Sequence, residues 1–221
     1  MEAIMKKGLT EIVFILDRSG SMSGLEKDTI GGFNSTIEKQ KKETGEAFVS
    51  TVLFDDSMDV LHNRIPLANI QPLTDKEYYP RGSTALLDAI GCGIHHIGNV
   101  HKYTRDEDRP EKTIFVIITD GYENASRKYT AERVKQMVER QKQKYGWEFI
   151  FLGANIDAIE TAKRFGICED RAANFVNDEA GINVMYEAQC SLMSDIRLNR
   201  VNERKWKAKV DEDYSRRNNK R

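Results

Sequence analysis

Two short apolar runs, each followed at once by polar residues, constrain the fold of this chain more than any other feature. Residues 12–16 lead into Asp17, and residues 114–118 lead into Thr119 and Asp120. Runs of this length that are apolar throughout are typical of strands buried on both faces of a parallel sheet. The carboxyl ends of neighbouring strands in an open parallel sheet face one crevice. We therefore expect the polar residues that follow the two runs to lie close together.

Strand and helix patterns alternate along the rest of the chain. Further strand patterns cover residues 47–54, 58–65, 147–153 and 174–176. Apolar residues at helical spacing begin near residues 25, 84, 130, 156 and 185. A short turn joins segments 47–54 and 58–65, so we interpret them as a hairpin whose second strand is an antiparallel edge strand. The predicted fold is a doubly wound α/β sheet, mostly parallel, with helices on both faces.

Three separate segments bring oxygen ligands to the predicted crevice. Asp17, Ser19 and Ser21 follow the first apolar strand, Thr84 opens a long helical pattern, and Asp120 follows the second apolar strand. Carboxylate and hydroxyl oxygens without His or Cys suit Mg²⁺, Mn²⁺ or Ca²⁺ rather than Zn²⁺. Because most of these ligands are neutral, such a centre leaves positions to water and attracts a further carboxylate. The expected partner is therefore a protein that offers an Asp or Glu side chain.

This arrangement resembles the metal-ion-dependent adhesion site (MIDAS) of von Willebrand factor type A (vWA) domains. The Asp-x-Ser-x-Ser pattern is present as Asp17, Ser19 and Ser21, the distant threonine is Thr84, and the aspartate after the fourth strand is Asp120. The order of elements matches from about residue 9 to about residue 165. The resemblance implies that the hydroxyls bind the ion directly or through water and that the aspartates often act through water. It also implies protein–protein recognition, so we expect a protein-binding module and not an enzyme. Because the sequence shows no secretion signal, we expect an intracellular member of bacterial or phage type.

Each of the three segments also has an ordinary structural interpretation. Ser23 and Glu26 fit a helix capping box. Thr84 would cap the helix that follows it, and Asp120-Gly121 is a common turn pair. These interpretations do not explain why all three segments fall at the carboxyl end of one predicted sheet, so the metal centre is the preferred interpretation.

The main enzymatic alternative is Mg²⁺-dependent phosphoryl transfer with Asp17 as the nucleophile. Phosphatases similar to haloacid dehalogenases place a second aspartate two residues after the nucleophile, where it acts as acid and base. That position is Ser19 here, and a hydroxyl titrates too far from neutral pH for this role. Glu123, three residues beyond Asp120, could lie near the ion, but we favour the interpretation that it is an exposed loop carboxylate.

The composition gives no electrostatic reason to expect nucleic acid or membranes as partners. The chain has 34 Lys and Arg against 35 Asp and Glu, so its net charge is −1. It has no apolar run of the ~20 residues needed for a membrane span, and the first residues lack the apolar core of a signal peptide. Three widely spaced cysteines argue against a disulfide framework. We therefore expect a cytoplasmic protein and make no prediction of its oligomeric state.

The chain is divided here into a vWA-like domain, residues 1–198, and a basic C-terminal tail, residues 199–221. The tail holds nine Lys or Arg against four acidic residues. Trp206 among lysines could dock on nucleic acid or on an acidic protein, since aromatic rings stack on bases and cations neutralise phosphate. The alternative, which we favour, is a solvated and partly ordered tail.

Overall fold

The computed structural model describes residues 5–200 and 204–218. Within these residues the strands are β1 (Lys6–Asp17), β2 (Glu46–Phe54), β3 (Met58–Pro66), β4 (Pro110–Thr119), β5 (Glu148–Gly153) and β6 (Ala172–Asn174). They form one sheet in the order β3-β2-β1-β4-β5-β6. β3 is antiparallel to β2, and the other neighbouring strands are parallel. The predicted mostly parallel sheet with one antiparallel edge strand is confirmed.

Helices cover both faces of this sheet. They are α1 (Glu26–Lys41), α2 (Leu86–Tyr103), α3 (Ala131–Tyr145), α4 (Ala158–Arg164), α5 (Glu179–Arg197) and α6 (Ala208–Asn218). α1, α5 and α6 share one apolar core with the sheet, and α2, α3 and α4 share another. The predicted doubly wound α/β fold is therefore confirmed. In the part of the chain that the structure describes, no helix is both long enough and apolar enough to span a membrane.

The continuous apolar run in β1 has a direct explanation in these two cores. Ile12, Phe14 and Leu16 belong to the core beneath α1 and α5. Val13 and Ile15 belong to the core beneath α2. Successive side chains of a strand point to opposite faces, so a central strand covered on both sides needs apolar residues at every position. Each of these side chains is at most 1% exposed, and full burial of one stabilises the fold by about 1.5–3 kcal/mol.

The strand order reverses between β1 and β4. The chain runs outward from β1 to β2 and β3, and then returns through α2, on the opposite face, to place β4 on the other side of β1. Leu16 in β1 is paired in register with Ile118 in β4. The residues after these two positions therefore emerge side by side at the point where ligands bind in open α/β sheets.

Several element boundaries differ from the predicted ones, and the helix predicted to begin near residue 185 begins at Glu179. The last strand is Ala172–Asn174 and not 174–176. The helix predicted to start at residue 156 starts at Ala158, because the Asp157 side chain accepts a hydrogen bond from the Glu160 amide and caps the helix there. The position of such a cap fixes the residue at which the helix starts.

The C-terminal segment packs on the domain, and the prediction of a solvated tail is wrong for residues 204–218. Trp206 is 6% exposed and Val210 is 1% exposed, and both belong to the core that contains α1 and α5. The Trp206 indole Nε1 donates a hydrogen bond to the Asp170 carbonyl at 2.8 Å. The buried ring is not available to stack on a nucleic-acid base. Residues 201–203 and 219–221 lie outside the described residues, and the boundary near residue 198 stays a prediction.

Candidate metal centre

Asp17 is fixed at the end of β1 by groups from the adjacent loop and strand. Its Oδ1 accepts a hydrogen bond from the Ser19 amide at 2.7 Å, and its Oδ2 accepts one from Thr119 Oγ1 at 2.6 Å. The buried Tyr78 hydroxyl donates to the Asp17 carbonyl at 2.7 Å. Asp17 itself is 1% exposed. Its carboxylate therefore has a defined orientation in the protein.

The two serines form a chain of hydrogen bonds to Asp120. Ser19 Oγ lies 3.0 Å from Ser21 Oγ, and Ser21 Oγ donates to Asp120 Oδ1 at 2.5 Å. A single 3₁₀ turn at Gly20–Met22 directs both hydroxyls to the same side. The predicted pieces that follow β1 and β4 thus meet, although 99 residues separate Ser21 from Asp120.

Thr84 approaches the same hydroxyl cluster from the start of α2. A Cβ built on Gly121 would lie 3.3 Å from Thr84 Oγ1 and 3.5 Å from Ser21 Oγ, so both hydroxyls face the same side of Gly121. The Thr84 amide donates to Asn124 Oδ1 at 2.9 Å. The N-cap residue of α2 is Ala85, so Thr84 is not the cap of this helix. The five predicted ligands are therefore brought together in one place.

Glu123 is not the exposed loop carboxylate that the sequence predicted. It is half-buried, and its Oε2 accepts a hydrogen bond from the Leu87 amide in the first turn of α2 at 2.8 Å. Its Oε1 accepts from the amides of Ala125 and Ser126 at 3.0 and 2.7 Å. A carboxylate is favourable at a helix N-terminus, where unpaired amides and the helix dipole carry positive charge. Glu123 thereby ties the loop after Asp120 to the helix that follows Thr84.

Three residues support the candidate centre in roles that the sequence did not predict. Thr119 holds Asp17, and Asn124 holds the backbone of Thr84. Asn177 donates from Nδ2 to Asp120 Oδ2 at 3.1 Å, and its own Oδ1 is buried and has no hydrogen-bond partner among residues 5–200 and 204–218. Thr119 belongs to the predicted motif next to Asp120, although its hydrogen bond to Asp17 was not predicted. Asn177 comes from the loop after β6, and no local pattern marks it.

Burial dominates the electrostatics of the two carboxylates. It raises the pKa of Asp17 to about 6, against the opposing effect of the hydrogen bonds from Thr119 and Ser19 and with a smaller contribution from the negative charge of Asp120. Burial also raises the pKa of Asp120, opposed by hydrogen bonds from Ser21 and Asn177. Both carboxylates are thus costly to ionise in the protein alone. A bound cation would favour their ionised forms.

The pKa of Asp17 predicts how the stability of the metal-free protein depends on pH. The pKa is raised from 3.8 to about 6, so the folded protein binds this proton more tightly than the unfolded chain does. The stabilisation is fully present below about pH 4 and is lost as the pH rises through about 6; it amounts to about 3 kcal/mol. Urea denaturation in chelator at pH 5 and pH 7 should therefore show lower stability at pH 7. If Asp17→Asn retains the full wild-type pH dependence, this assignment is wrong.

The donor set of the centre fits a hard divalent cation. Residues 5–200 and 204–218 contain no group of three or more His, Cys, Asp or Glu side chains placed to hold a metal ion. The candidate centre is different in kind, because it combines two carboxylates with three hydroxyls. Oxygen ligands of this type suit Mg²⁺, Mn²⁺ or Ca²⁺.

The chain has the fold of vWA domains. Proximal thread matrix protein 1 from the mussel byssus, in a structure with a zinc-occupied MIDAS motif, is 13% identical with a TM-score of 0.59. The similarity covers 86% of this chain and 47% of that chain. A vWA structure from Catenulispora acidiphila is 13% identical with a TM-score of 0.54 and covers 85% of this chain and 42% of that one.

A third similar structure is the D319A mutant of the PilB minor pilin from Streptococcus sanguinis. It is 14% identical with a TM-score of 0.54, over 91% of this chain and 65% of that chain. The chain thus spans less than half the length of the first two structures and about two thirds of the third. No protein-family model matches the chain, and no curated protein sequence matches it.

Proposed function

We propose that this chain is a divalent-cation-dependent protein-binding module whose metal centre accepts an Asp or Glu carboxylate from a partner protein. The observation that carries the proposal is the hydrogen-bonded chain from Ser19 through Ser21 to Asp120, with Asp17 and Thr84 beside it. Three of these five side chains are neutral. A cation held by them keeps much of its positive charge for a partner.

Each residue has a distinct role in this proposal. Ser19, Ser21 and Thr84 would hold the cation through their hydroxyl oxygens. Asp17 and Asp120 would orient its water ligands and balance its charge, and the hydrogen bonds to both Asp17 oxygens favour this indirect role. A bound Mg²⁺ ion retains water-filled positions that a carboxylate can take.

The zinc in the MIDAS motif of the mussel protein supports a divalent cation at this place in the fold. The choice of Mg²⁺ or Mn²⁺ for this chain rests on its oxygen donors, since Zn²⁺ sites in proteins are typically built from His and Cys. Cys92, Cys168 and Cys190 are unpaired, which fits a reducing compartment such as the cytoplasm.

We also propose that the module is not an enzyme. A nucleophilic Asp17 would need an accessible oxygen and a nearby acid. The Asp17 side chain is buried, each of its oxygens already accepts a hydrogen bond, and the second position after it is Ser19. We expect no hydrolysis of a phosphomonoester in Mg²⁺. Turnover that is lost in Asp17→Asn would instead establish the phosphoryl-transfer alternative.

The proposal is tested by metal titration and by partner capture. Calorimetry of the full chain with Mn²⁺ should show one site. Immobilised protein should retain the same proteins from a cell extract in Mg²⁺ and lose them in chelator. Esterification of the carboxyl groups of a retained protein should prevent its binding. Capture that survives excess chelator would place the interface elsewhere on the surface.

Thr84→Ala is expected to impair partner binding more than metal binding. The substitution removes one neutral ligand while both aspartates stay in place, so Mn²⁺ affinity should fall about tenfold, the equivalent of one lost polar contact. Partner affinity should fall further, because partner binding needs the bound ion and an ion that has lost one of its three hydroxyl ligands is oriented less well toward a partner carboxylate. Ser83→Ala is the matched control, since Ser83 is exposed beside the buried Thr84. Undiminished capture by Thr84→Ala would contradict the proposed role of this residue.

A further inference from the structure

Arg18 lies between two residues of the metal centre, but its side chain belongs to a separate buried ion network. Arg18 is 2% exposed, which is exceptional for an arginine. Its Nε donates to Asp55 Oδ2 at 2.9 Å, and its Nη2 donates to Asp59. Asp55 is fully buried at the carboxyl end of β2. The network therefore joins the loop after β1 to the strand beside it.

Arg81 joins the same carboxylate from the segment that leads to Thr84. Its Nε donates to Asp55 Oδ2 at 2.7 Å, so one oxygen atom is shared by two guanidinium groups. The Arg81 amide donates to the Arg18 carbonyl at 2.8 Å. Both guanidinium groups also lie over the Tyr79 ring, at 5.7 and 5.5 Å from its centroid.

Asp55 contacts the chain on both sides of Thr84. Its side chain holds Arg81, three residues before Thr84, and its carbonyl accepts a hydrogen bond from the amide of Ala85, one residue after it, at 2.8 Å. The second carboxylate oxygen accepts from the Ser57 amide and hydroxyl, each at 2.7 Å. Burial raises the pKa of Asp55, but hydrogen bonds from Arg81 and Ser57 outweigh it and hold the pKa well below the usual range. Asp55 is therefore ionised when it holds the two arginines.

We propose that Asp55 is a positioning residue of the metal centre, which holds Arg18 and Arg81 so that residues 81–85 present Thr84 to Ser21. The inference rests on the proposed function. Asp55 does not touch the hydroxyl cluster; it acts through Thr84. Removal of its charge leaves the buried Arg18 and the 41% exposed Arg81 to share the Asp59 carboxylate, whose side chain is 56% exposed and therefore a weaker anchor. The segment before Thr84 then loses the ion pair between Arg81 and Asp55. The hydrogen bond from the Arg81 amide to the Arg18 carbonyl remains, but it does not hold the Arg81 side chain.

The test is a double-mutant cycle read out by Mn²⁺ affinity of the full chain. Asp55→Asn keeps the shape of the side chain, but it removes the charge and replaces one acceptor oxygen by a donor. We expect Mn²⁺ binding to weaken about tenfold, as is common when a group that orients a metal ligand is lost. Because Asp55 acts through Thr84, Asp55→Asn should cause no further loss in a Thr84→Ala background.

Two controls separate positioning from general destabilisation. Asp75→Asn removes a carboxylate from an exposed turn and should leave Mn²⁺ affinity unchanged. Val138→Ala destabilises the core beneath α3, away from the centre, and should also leave Mn²⁺ affinity unchanged in the folded protein. If Asp55→Asn does not fold, Arg81→Ala serves in its place, because Arg81 is 41% exposed and its removal leaves Asp55 paired with Arg18.

The outcomes distinguish this inference from the function on which it rests. Wild-type Mn²⁺ binding with a tenfold loss in Asp55→Asn and no further loss in the double mutant supports the positioning role. Normal affinity in Asp55→Asn, or losses that multiply with those of Thr84→Ala, would overturn the positioning role alone. Absence of Mn²⁺ binding by the wild-type protein would overturn both proposals.

Discussion

Asp17→Ala is expected to abolish Mn²⁺ and Mg²⁺ binding, with an affinity loss of about 100-fold or more. The substitution removes one of the two carboxylates of the centre and leaves the Ser19 amide and the Thr119 hydroxyl without their acceptor. Wild-type protein should gain about 2.7 kcal/mol of stability when the free ion is at 100 times its Kd, because the ion binds the folded state only. The mutant should gain about 0.4 kcal/mol or less at the same ion concentration. Calorimetry and urea denaturation, each with and without chelator, measure the two effects.

Asp17→Asn separates the charge of Asp17 from its shape in the same experiment. The amide can still accept from the Ser19 amide, so the fold around it should persist. Because Asp17 has a raised pKa, the metal-free Asn variant should be more stable than the metal-free wild type at pH 7. It should nevertheless fail to respond to Mn²⁺. Asp75→Ala, in an exposed turn, is the control for charge loss elsewhere. Unchanged metal binding in Asp17→Ala would refute the proposed centre.

The same substitution at two adjacent glycines of α1 is expected to have opposite effects on stability. A Cβ at Gly32 would lie 2.1 Å from Cδ2 of Tyr186, a buried residue of α5 that is 4% exposed. A Cβ at Gly31 would have no atom within 4 Å among the described residues, apart from its chain neighbours and the backbone of its own helix. Gly31→Ala should therefore stabilise the protein by about 1 kcal/mol through helix propensity. Gly32→Ala should destabilise it by about 3 kcal/mol, because overpacking forces α1 and α5 apart.

Urea denaturation of the two variants measures this difference directly. Both substitutions raise the helix propensity of α1 by the same amount, so Gly31→Ala is the internal control for Gly32→Ala. The slope of the free energy against urea should stay constant, since both variants expose the same surface on unfolding. A stabilising Gly32→Ala would mean that α1 and α5 pack less closely than the structure shows.

The local patterns of the sequence were enough to predict the fold class and the five candidate ligands. Residues 12–16 and 114–118 are apolar at every position because both faces of their strands are covered, and this burial is visible in the sequence alone. The polar residues that follow must then emerge at one edge of a parallel sheet. Asp17, Ser19 and Ser21 stand within five residues of one another, so their proximity was also fixed by the chain itself.

Tertiary structure alone decided which residues support this centre. The sequence places Asp55 in the short turn between segments 47–54 and 58–65, and it predicts an exposed carboxylate at Glu123 and a solvated tail around Trp206. In the structure Asp55 is a buried acceptor for two arginines, Glu123 binds the first turn of α2, and Trp206 is in the core. Sequence periodicity reports whether one side of an element is buried. It does not predict which distant polar group forms a hydrogen bond or ion pair with a charged residue at the end of a strand. Such contacts depend on strand register and on helix packing across the whole sheet.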